Sequence, residues 1–514
     1  MPEYVHPGVY IEEIERGPKP IEGVPTSTAA FLGETERGAT KPRLVTSYKD
    51  YRRWFGDVFG DTKFMPYAAG GFFENGGQRL YVCRITDDTA TPAEAAFGNF
   101  IVRAVGAGSW GRRVFAKIEE SSTQKPGPNN TTVPVGVKLR VAYYATQPIS
   151  DPLDWFNDAV KPPFPSYTEC FDDLDSDEQS PNYWYKRVHD NSPLIDLIRT
   201  GPPNTLPAKQ FAQLGTNGSD GADSLDVADF QGNAQLPHRP LPQGLAALEL
   251  GPYREVALVY APGASTAVNR AVITHCETLK YRFAVVDPDK AVTVTDFQPR
   301  SAIADTKYAA LYYPWIAVPD PQTGAHKEVP PGGHVLGVYA RNDTERGVYR
   351  APANEILRGA LDLLVEIDIQ TQDVLNPRGI NAIRKFPARG IRVWGARTLS
   401  SDALWKFVSV SRLFIFLERS IYEGTQWVVF EPNDERLWAQ VSDTIRLFLR
   451  TQWRLGGLFG RTEDEAFFVK CDRTTMTQDD ILNGRLICEI GIAAARPAEF
   501  VIFQICQHTA EAQN

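Results

Sequence analysis

The sequence predicts a multidomain protein combining α/β and α+β domains, and three observations lead there. Its 514 residues exceed what one hydrophobic core ordinarily organises, so three or four domains are expected. From Arg254 onward, strand-like and helix-like stretches alternate, which implies a sheet covered by helices. Between about Phe97 and Leu250 the chain breaks instead into short strands and long loops rich in Pro, Asn and Asp, the character of an insertion. The division that follows is an N-terminal arm (1–25), the first part of an α/β unit (26–96), an inserted β-rich domain (97–250), an α/β core (251–375) and an α+β C-terminal domain (376–514).

Val5 to Ile14 reads as a turn and a short strand with no hairpin partner nearby, so Val9, Tyr10, Ile11, Glu12 and Glu13 must pair with something distant, in cis or on a neighbouring chain. Ser27 to Gly33 is a buried strand, Tyr48 to Phe55 an amphipathic helix, Phe64 to Phe73 another helix, and Arg79 to Thr86 a strand. Within the insertion, Phe100 to Val105, Arg113 to Ile118 and Val135 to Tyr144 are expected strands. The acidic run containing Asp172, Asp173, Asp175, Asp177 and Glu178 lacks the glycine and the spacing of a calcium loop, so it reads as a solvated surface. Glu255 to Tyr260 and Phe283 to Asp287 are strands flanking a helix from Ala264 to Tyr281, and Ser301 to Asp305 belongs to a further helix.

The densest stretch runs from Lys307 to Gly359. Tyr308 to Tyr313 is apolar without alternation, as in a strand buried on both faces, and Trp315 to Val318 continues it after Pro314. A breaker-rich loop from Asp320 leads to a helix beginning near Gly333 or His334 and ending at Gly347. Asn354 is placed to cap a helix carrying Ile356, Leu357 and Leu361. Further on, Asn376 to Arg397 holds Arg378, Arg384, Lys385, Arg389, Arg392 and Arg397 with no acidic residue. Ser401 is the expected cap of a long helix ending at Gly424. On that helix Glu418 projects from an apolar side with Ser411, so it needs a basic partner from the segment just described or from another chain. A second long helix starts at Asn433 to Glu435, with negative charge at its positive end, and stops at Gly456 and Gly457. Phe467 to Cys471 and Arg485 to Ala493 are strands. A final strand from Phe500 to His508, containing Val501, Ile502, Phe503 and Ile505, could pair in cis or accept a partner.

A net charge of −9 argues against nucleic-acid binding, which needs a concentrated cationic surface. No apolar run is long enough for stable membrane insertion, and the start shows no secretory pattern. Six scattered cysteines without a CxxC pair favour reduced thiols and synthesis in the cytoplasm. Gly106 to Gly111 spells GxGxxG, but a strand-like RRVFAKIEE follows instead of a helix, so a turn explains it better than a nucleotide site. No phosphate loop and no HExxH occurs. His275 beside Cys276, and His508 beside Cys506, lack further ligands in sequence. No cofactor, metal or catalytic residue is therefore assigned.

The PW strand end, the PPGGHVLGVYARNDTERGVYRAPANE block, and the later RTLSSDALWKFVSVSRLFIFLERSI…GTQWVVFEPN…LW block resemble the tail sheath proteins of contractile phage tails and injection systems. TERG at Thr35 to Gly38 and the pattern from Asn75 to Arg84 extend the likeness, which covers roughly the first ninety residues and the chain from about 250 onward. The resemblance implies a subtilisin-like α/β core and an outer position for the insertion. It also implies a structural subunit of stacked hexameric rings around an inner tube, bound to copies of itself, to the tube protein, and to baseplate and terminal cap proteins. Extended terminal arms would complete sheets in neighbours, and the basic segment would face the tube or an adjacent subunit. Assembly in the bacterial cytoplasm and release by lysis go with it. The subtilisin likeness raises a hydrolase alternative, but neither a GTSMA-like serine turn nor an HGTH-like histidine turn is present, so only scaffold would be shared. Another particle component, such as a capsid or baseplate protein, is the remaining alternative.

Overall fold

The computed structural model describes residues 20–502 except 128–130, 149, 223, 234–235, 237–238, 240 and 293–295. The chain forms two compact units, Pro25–Ser411, and Arg412–Asn514 together with Met1–Val24. The larger unit opens with β1 (Ala29–Gly33), β2 (Arg43–Val45), α1 (Tyr48–Phe55), α2 (Met65–Glu74) and β3 (Leu80–Arg84). Ser47 caps α1 by accepting from the Asp50 amide, and Gly56 ends it at a φ of 87°.

The insertion follows with β4 (Glu94–Ala96), β5 (Phe100–Ala104), β6 (Val114–Glu120), β7 (Gln124–Pro126), β8 (Thr132–Pro134), β9 (Val137–Tyr143), β10 (Tyr167–Leu174), β11 (Ile195–Arg199) and β12 (Phe211–Gln213). Its sheets are β10-β9-β6-β12, β11-β5-β4 and the hairpin β7-β8. Inward residues of β5, β6 and β9 alternate with outward ones, and they meet Phe97, Trp110 and Trp184 in a core of their own. That core runs from Ala93 to Leu214. Phe230, Leu245, Leu248 and Tyr253 instead join the main core, so the insertion's packing closes well before residue 250.

Next come β13 (Leu258–Tyr260), α3 (Thr266–Leu279), β14 (Phe283–Val286), β15 (Ala309–Tyr313), β16 (Ile316–Pro319), β17 (His326–Val329), α4 (Gly332–Arg346), β18 (Glu355–Ile356), β19 (Asp362–Leu363), β20 (Ile380–Phe386) and β21 (Gly390–Val393). The nine-stranded main sheet has the order β18-β21-β20-β15-β14-β13-β1-β3-β2. Its six central strands, from β20 to β3, are all parallel. β1, β3, β13, β14 and β15 are buried at every position, which is why they read as unbroken apolar runs.

α4 explains the sequence's densest block. Every residue from Gly332 to Asn342 is buried. A Cβ on Gly333 would sit 2.5 Å from the Ala68 backbone, and one on Gly337 would sit 2.4 Å from the Phe72 carbonyl oxygen, so α4 and α2 touch backbone to backbone. A Cβ on Gly332 would enter the Tyr260 ring at 2.3 Å. Asn75, at the end of α2, donates to the Arg358 carbonyl at 3.0 Å and accepts from the Arg358 amide at 2.8 Å. Arg341 donates to the carbonyls of Asn75 and Ile356 at 3.0 and 2.8 Å. The family-like motifs around Asn75, Gly332 and Arg358 are thus one packing cluster.

Several expectations need correction. Ile316–Pro319 does not extend the buried strand; it forms a separate antiparallel sheet, β17-β16-β19, with part of the expected loop returning as β17. Asn354 caps no helix: its φ is 58°, and Glu355–Ile356 pairs with β21. Nor does Ser401 start one. Asp402 makes a local turn by accepting from the Leu404 amide at 2.8 Å, Arg397 pairs with Phe407, and the helix, α5, runs only over Val408–Gly424. β20 and β21 belong to the main sheet, so the C-terminal unit starts later than residue 376.

The smaller unit holds most of α5, then α6 (Glu435–Arg454), β22 (Phe467–Lys470), α7 (Gln478–Leu482) and β23 (Glu489–Ile492). Asp434 caps α6 by accepting from the Leu437 amide at 2.8 Å. Leu437, Val441, Ile445 and Phe448 form its buried stripe.

Candidate assembly surfaces

The C-terminal unit leaves apolar surface uncovered on a scale the larger unit does not. Val429, Leu455, Phe459, Phe468 and Leu482 are all more than half exposed, and Phe430 is fully so, at 102% of its reference area. Phe430 also holds a φ of 73°, a left-handed backbone that side chains rarely adopt. Scattered apolar residues on a surface are ordinary; a concentration of this kind in one small unit is not, and it makes this unit the candidate interaction surface.

The hairpin β22-β23 adds polar valence to that surface. Its register sets Phe467 opposite Ile492 and Phe468 opposite Gly491. Phe467 and Val469 face inward, while Phe468 points out over Gly491, whose absent Cβ would lie 2.0 Å from its ring. β23 continues into a bridge between Leu458 and Ala494. Among the described residues β22 pairs with no strand but β23, and its other edge has no partner strand, though the Val469 carbonyl accepts from the Arg446 guanidinium at 3.5 Å.

Residues 20–24 dock on α5 within the same unit. Ile21 is buried, a Cβ on Gly424 would strike it at 2.6 Å, one on Gly23 would strike Phe416 at 2.9 Å, and the Val24 amide donates to Ser420 Oγ at 3.1 Å. Val9, Tyr10, Ile11, Glu12 and Glu13 lie outside the described residues, as do Phe503 and Ile505. Phe500, Val501 and Ile502 are exposed and outside any strand of this chain.

The basic segment is the hairpin β20-β21 with the turn before it, and its cations are not one free face. Arg378 donates to the Phe297 carbonyl at 3.2 Å, Arg384 to Gln372 Oε1 at 2.8 Å, Arg392 to the Asn354 carbonyl at 2.7 Å, and the buried Arg397 to the Asn376 carbonyl at 2.8 Å. Lys385 pairs with Asp362 at 3.0 Å. Arg389 alone of the six stands at the exposed turn, its guanidinium 4.7 Å from the Phe386 ring centre. Most of the cationic charge thus closes loops of its own fold.

Glu418 is exposed, which corrects the expectation of a carboxylate buried on an apolar face. Ser411, seven residues earlier on the same side, is buried. Coverage of α5 changes along its length, and position around the helix cannot report that.

Elsewhere the chemistry is structural. Gly106 approaches the Gly38 carbonyl so closely that a Cβ would lie 2.1 Å away, and Ser109–Arg113 is a short 3-10 turn with Trp110 buried, so the glycines serve a chain crossing. His275 faces Arg282 at 2.6 Å, and burial beside that guanidinium pushes its pKa down to about 3. Asp287 follows the end of β14 and carries no local sequence signal of its burial. This buried carboxyl accepts from Tyr260 Oη and from the Gly332 amide at 3.1 Å, and burial pushes its pKa up to about 7 against those bonds. A cleft of about 730 Å³, lined by Arg37, Arg52, Arg53, Tyr143 and Tyr167 among others, has no histidine in its lining to serve a nucleophile.

The chain matches the family model of the phage tail sheath protein central domain over residues 240–399 and that of the phage tail sheath C-terminal domain over residues 400–507. A prophage major tail sheath protein of Pseudomonas aeruginosa is 25% identical over 279 residues, covering 51% of this chain and 68% of that protein. The tail sheath protein of Salmonella phage ViI is 26% identical over 195 residues, covering 37% of this chain and 30% of that protein. Among solved structures, the PVC sheath complex of an extracellular contractile injection system, in its contracted state, superposes with a TM-score of 0.58 at 23% identity, covering 99% of each chain. The contracted helical sheath of the anti-feeding prophage gives a TM-score of 0.58 at 24% identity, covering 98% of this chain and 99% of that one.

Proposed function

The chain belongs to the phage tail sheath family and is a structural subunit of a contractile tail sheath, and from that premise we propose that it polymerises as stacked hexameric rings around an inner tube and contracts to drive the tube through a target envelope. The observation that carries this reading is the C-terminal unit, where uncovered aromatic surface lies in the same unit as the open edge of β22. The six-fold symmetrised baseplate of the anti-feeding prophage contains a chain of the same fold, which supports six subunits per ring.

The arms hold the lattice in this proposal. Val9 to Glu13 and Phe500 to Ile505 supply strands that complete sheets in neighbouring subunits, with β22 as an acceptor. A net hydrogen bond contributes about 0.5–1.5 kcal/mol, so one added strand contributes only a few. Linked contacts across a lattice act together and make such weak units sufficient. Contraction is then a change of packing between preassembled subunits, with the energy stored at assembly. The parallel sheet serves as a subtilisin-like scaffold without catalysis. Lys385 and Arg389 are the parts of the basic hairpin directed to the tube or a neighbour, and baseplate and cap proteins close the ends. The particle assembles in the bacterial cytoplasm and leaves by lysis.

Deleting Met1 to Ile14 tests this. The truncated chain is expected to fold, by circular dichroism and cooperative unfolding, yet to form no cylinders in negative-stain electron microscopy. Cylinders of normal length from the truncation would overturn strand exchange by the N-terminal arm.

A further inference from the structure

Two cysteines far apart in sequence meet in the C-terminal unit. The register ends with Lys470 opposite Glu489, and continued by one step past each strand end it sets Cys471 against Cys488. The two thiols lie close enough that each shifts the other's titration, and both are free. Opposed residues of an antiparallel pair have Cα atoms about 4.5–5.5 Å apart, inside the range of about 4.4–6.8 Å that a disulfide spans. The other described cysteines have no such neighbour: Cys83 and Cys276 are packed in the main core, and Cys170 is exposed on the insertion.

We propose that Cys471 and Cys488 form a redox pair that closes to an intrachain disulfide when the chain meets a small-molecule disulfide and reopens in a thiol-rich medium. One cysteine thiolate attacks the oxidant's S–S bond, forming a mixed disulfide and expelling one thiolate. The second cysteine, as its thiolate, attacks the protein sulfur of that mixed disulfide, forming the Cys471–Cys488 bond and expelling the other thiolate. The two protein thiols lose two electrons, the oxidant becomes two thiols, and the protons released by the cysteines are taken up by the leaving thiolates.

The bond would tie the base of the loop 472–487, which carries α7 and is already gathered by Thr475, whose hydroxyl oxygen lies 2.9 Å from the carbonyl oxygens of both Asp472 and Ile487, its one proton going to either. It would also fix the end of β22 beside its open edge. Burial raises both thiols, Cys488 to about 12, so thiolate is scarce at neutral pH and closure is slow. A chain made in a reducing compartment therefore stays open during synthesis. The pairing stands apart from the assembly reading, because it needs only this chain.

The test uses the full-length chain, oxidised glutathione at a series of pH values, thiol blocking, and peptide mapping without reductant. The expected product is one linked peptide pair joining residues 471 and 488, lighter by two hydrogens, forming faster as pH rises. Redox titration should give a single two-electron transition that Cys488→Ser and Cys471→Ser each abolish. Recovery of Cys471 or Cys488 only as glutathione adducts, or as blocked free thiols after Cys170 has fully reacted, would overturn the proposal. The wild-type map decides alone should a serine variant fail to fold.

Discussion

The parallel-sheet core and the C-terminal unit solve opposite problems with the same residue types. In the core, apolar residues are spent inward: β1, β3, β13, β14 and β15 are buried throughout, and α4 gives up side chains at Gly333 and Gly337 to press its backbone on α2. The C-terminal unit buries one stripe of α6 but leaves Phe430, Phe459, Phe468 and Leu482 outside and one edge of β22 without a partner strand. The first region buries its apolar residues within one chain. The second leaves them outside, where the proposed assembly would cover them.

Three measurements break or sharpen that contrast. Gly337→Leu should be the most damaging, because even a Cβ meets the Phe72 carbonyl at 2.4 Å. A loss of about 3 kcal/mol or more in urea unfolding is expected, and unchanged stability would mean that the two backbones need not touch. Next is Asp287→Asn. The folded carboxyl titrates near 7 because of burial, whereas an unfolded aspartate titrates at about 3.9. The native state therefore holds a proton that the unfolded state has lost between these values. This group's contribution should fall as pH rises from about 4 to about 7, by a few kcal/mol at most, and stay flat above. The asparagine variant should lack that slope, and parallel pH profiles of Tm would refute the assignment. The smallest effect on stability, and the largest on assembly, is expected from Phe430→Asp. A fully exposed side chain should cost under about 0.5 kcal/mol, while sedimentation should show the loss of polymer. Normal polymer from a stable Phe430→Asp chain would remove this patch from the interface.

What could be read in the sequence follows the same division. β1, α1 and α6 are legible because their signals are local: an unbroken apolar run, an amphipathic pattern, and an acidic start followed by a periodic stripe. The helix expected from Ser401 was too long because Asp402 uses its own side chain to make a turn, a choice that composition does not reveal. The basic segment looked like a face because charge is easy to count. Four of its arginines are hydrogen-bonded to carbonyl or amide oxygens 12 or more residues away, which depends on tertiary register. The exposed aromatic residues of the C-terminal unit were equally hidden, since Phe430 outside and Phe448 inside are the same letter. Cys471 and Cys488 became a pair only once β22 met β23.

In the proposed lattice, the docking of residues 20–24 on α5 would set where load enters the smaller unit. The chain arriving from its N-terminal side is clamped by Ile21 and Val24 to the helix that begins the C-terminal unit, and the chain leaving through Ile502 departs from that unit too. Under the proposed strand exchange, tension between the two ends would be carried through one small body, without passing through the parallel sheet's own chain.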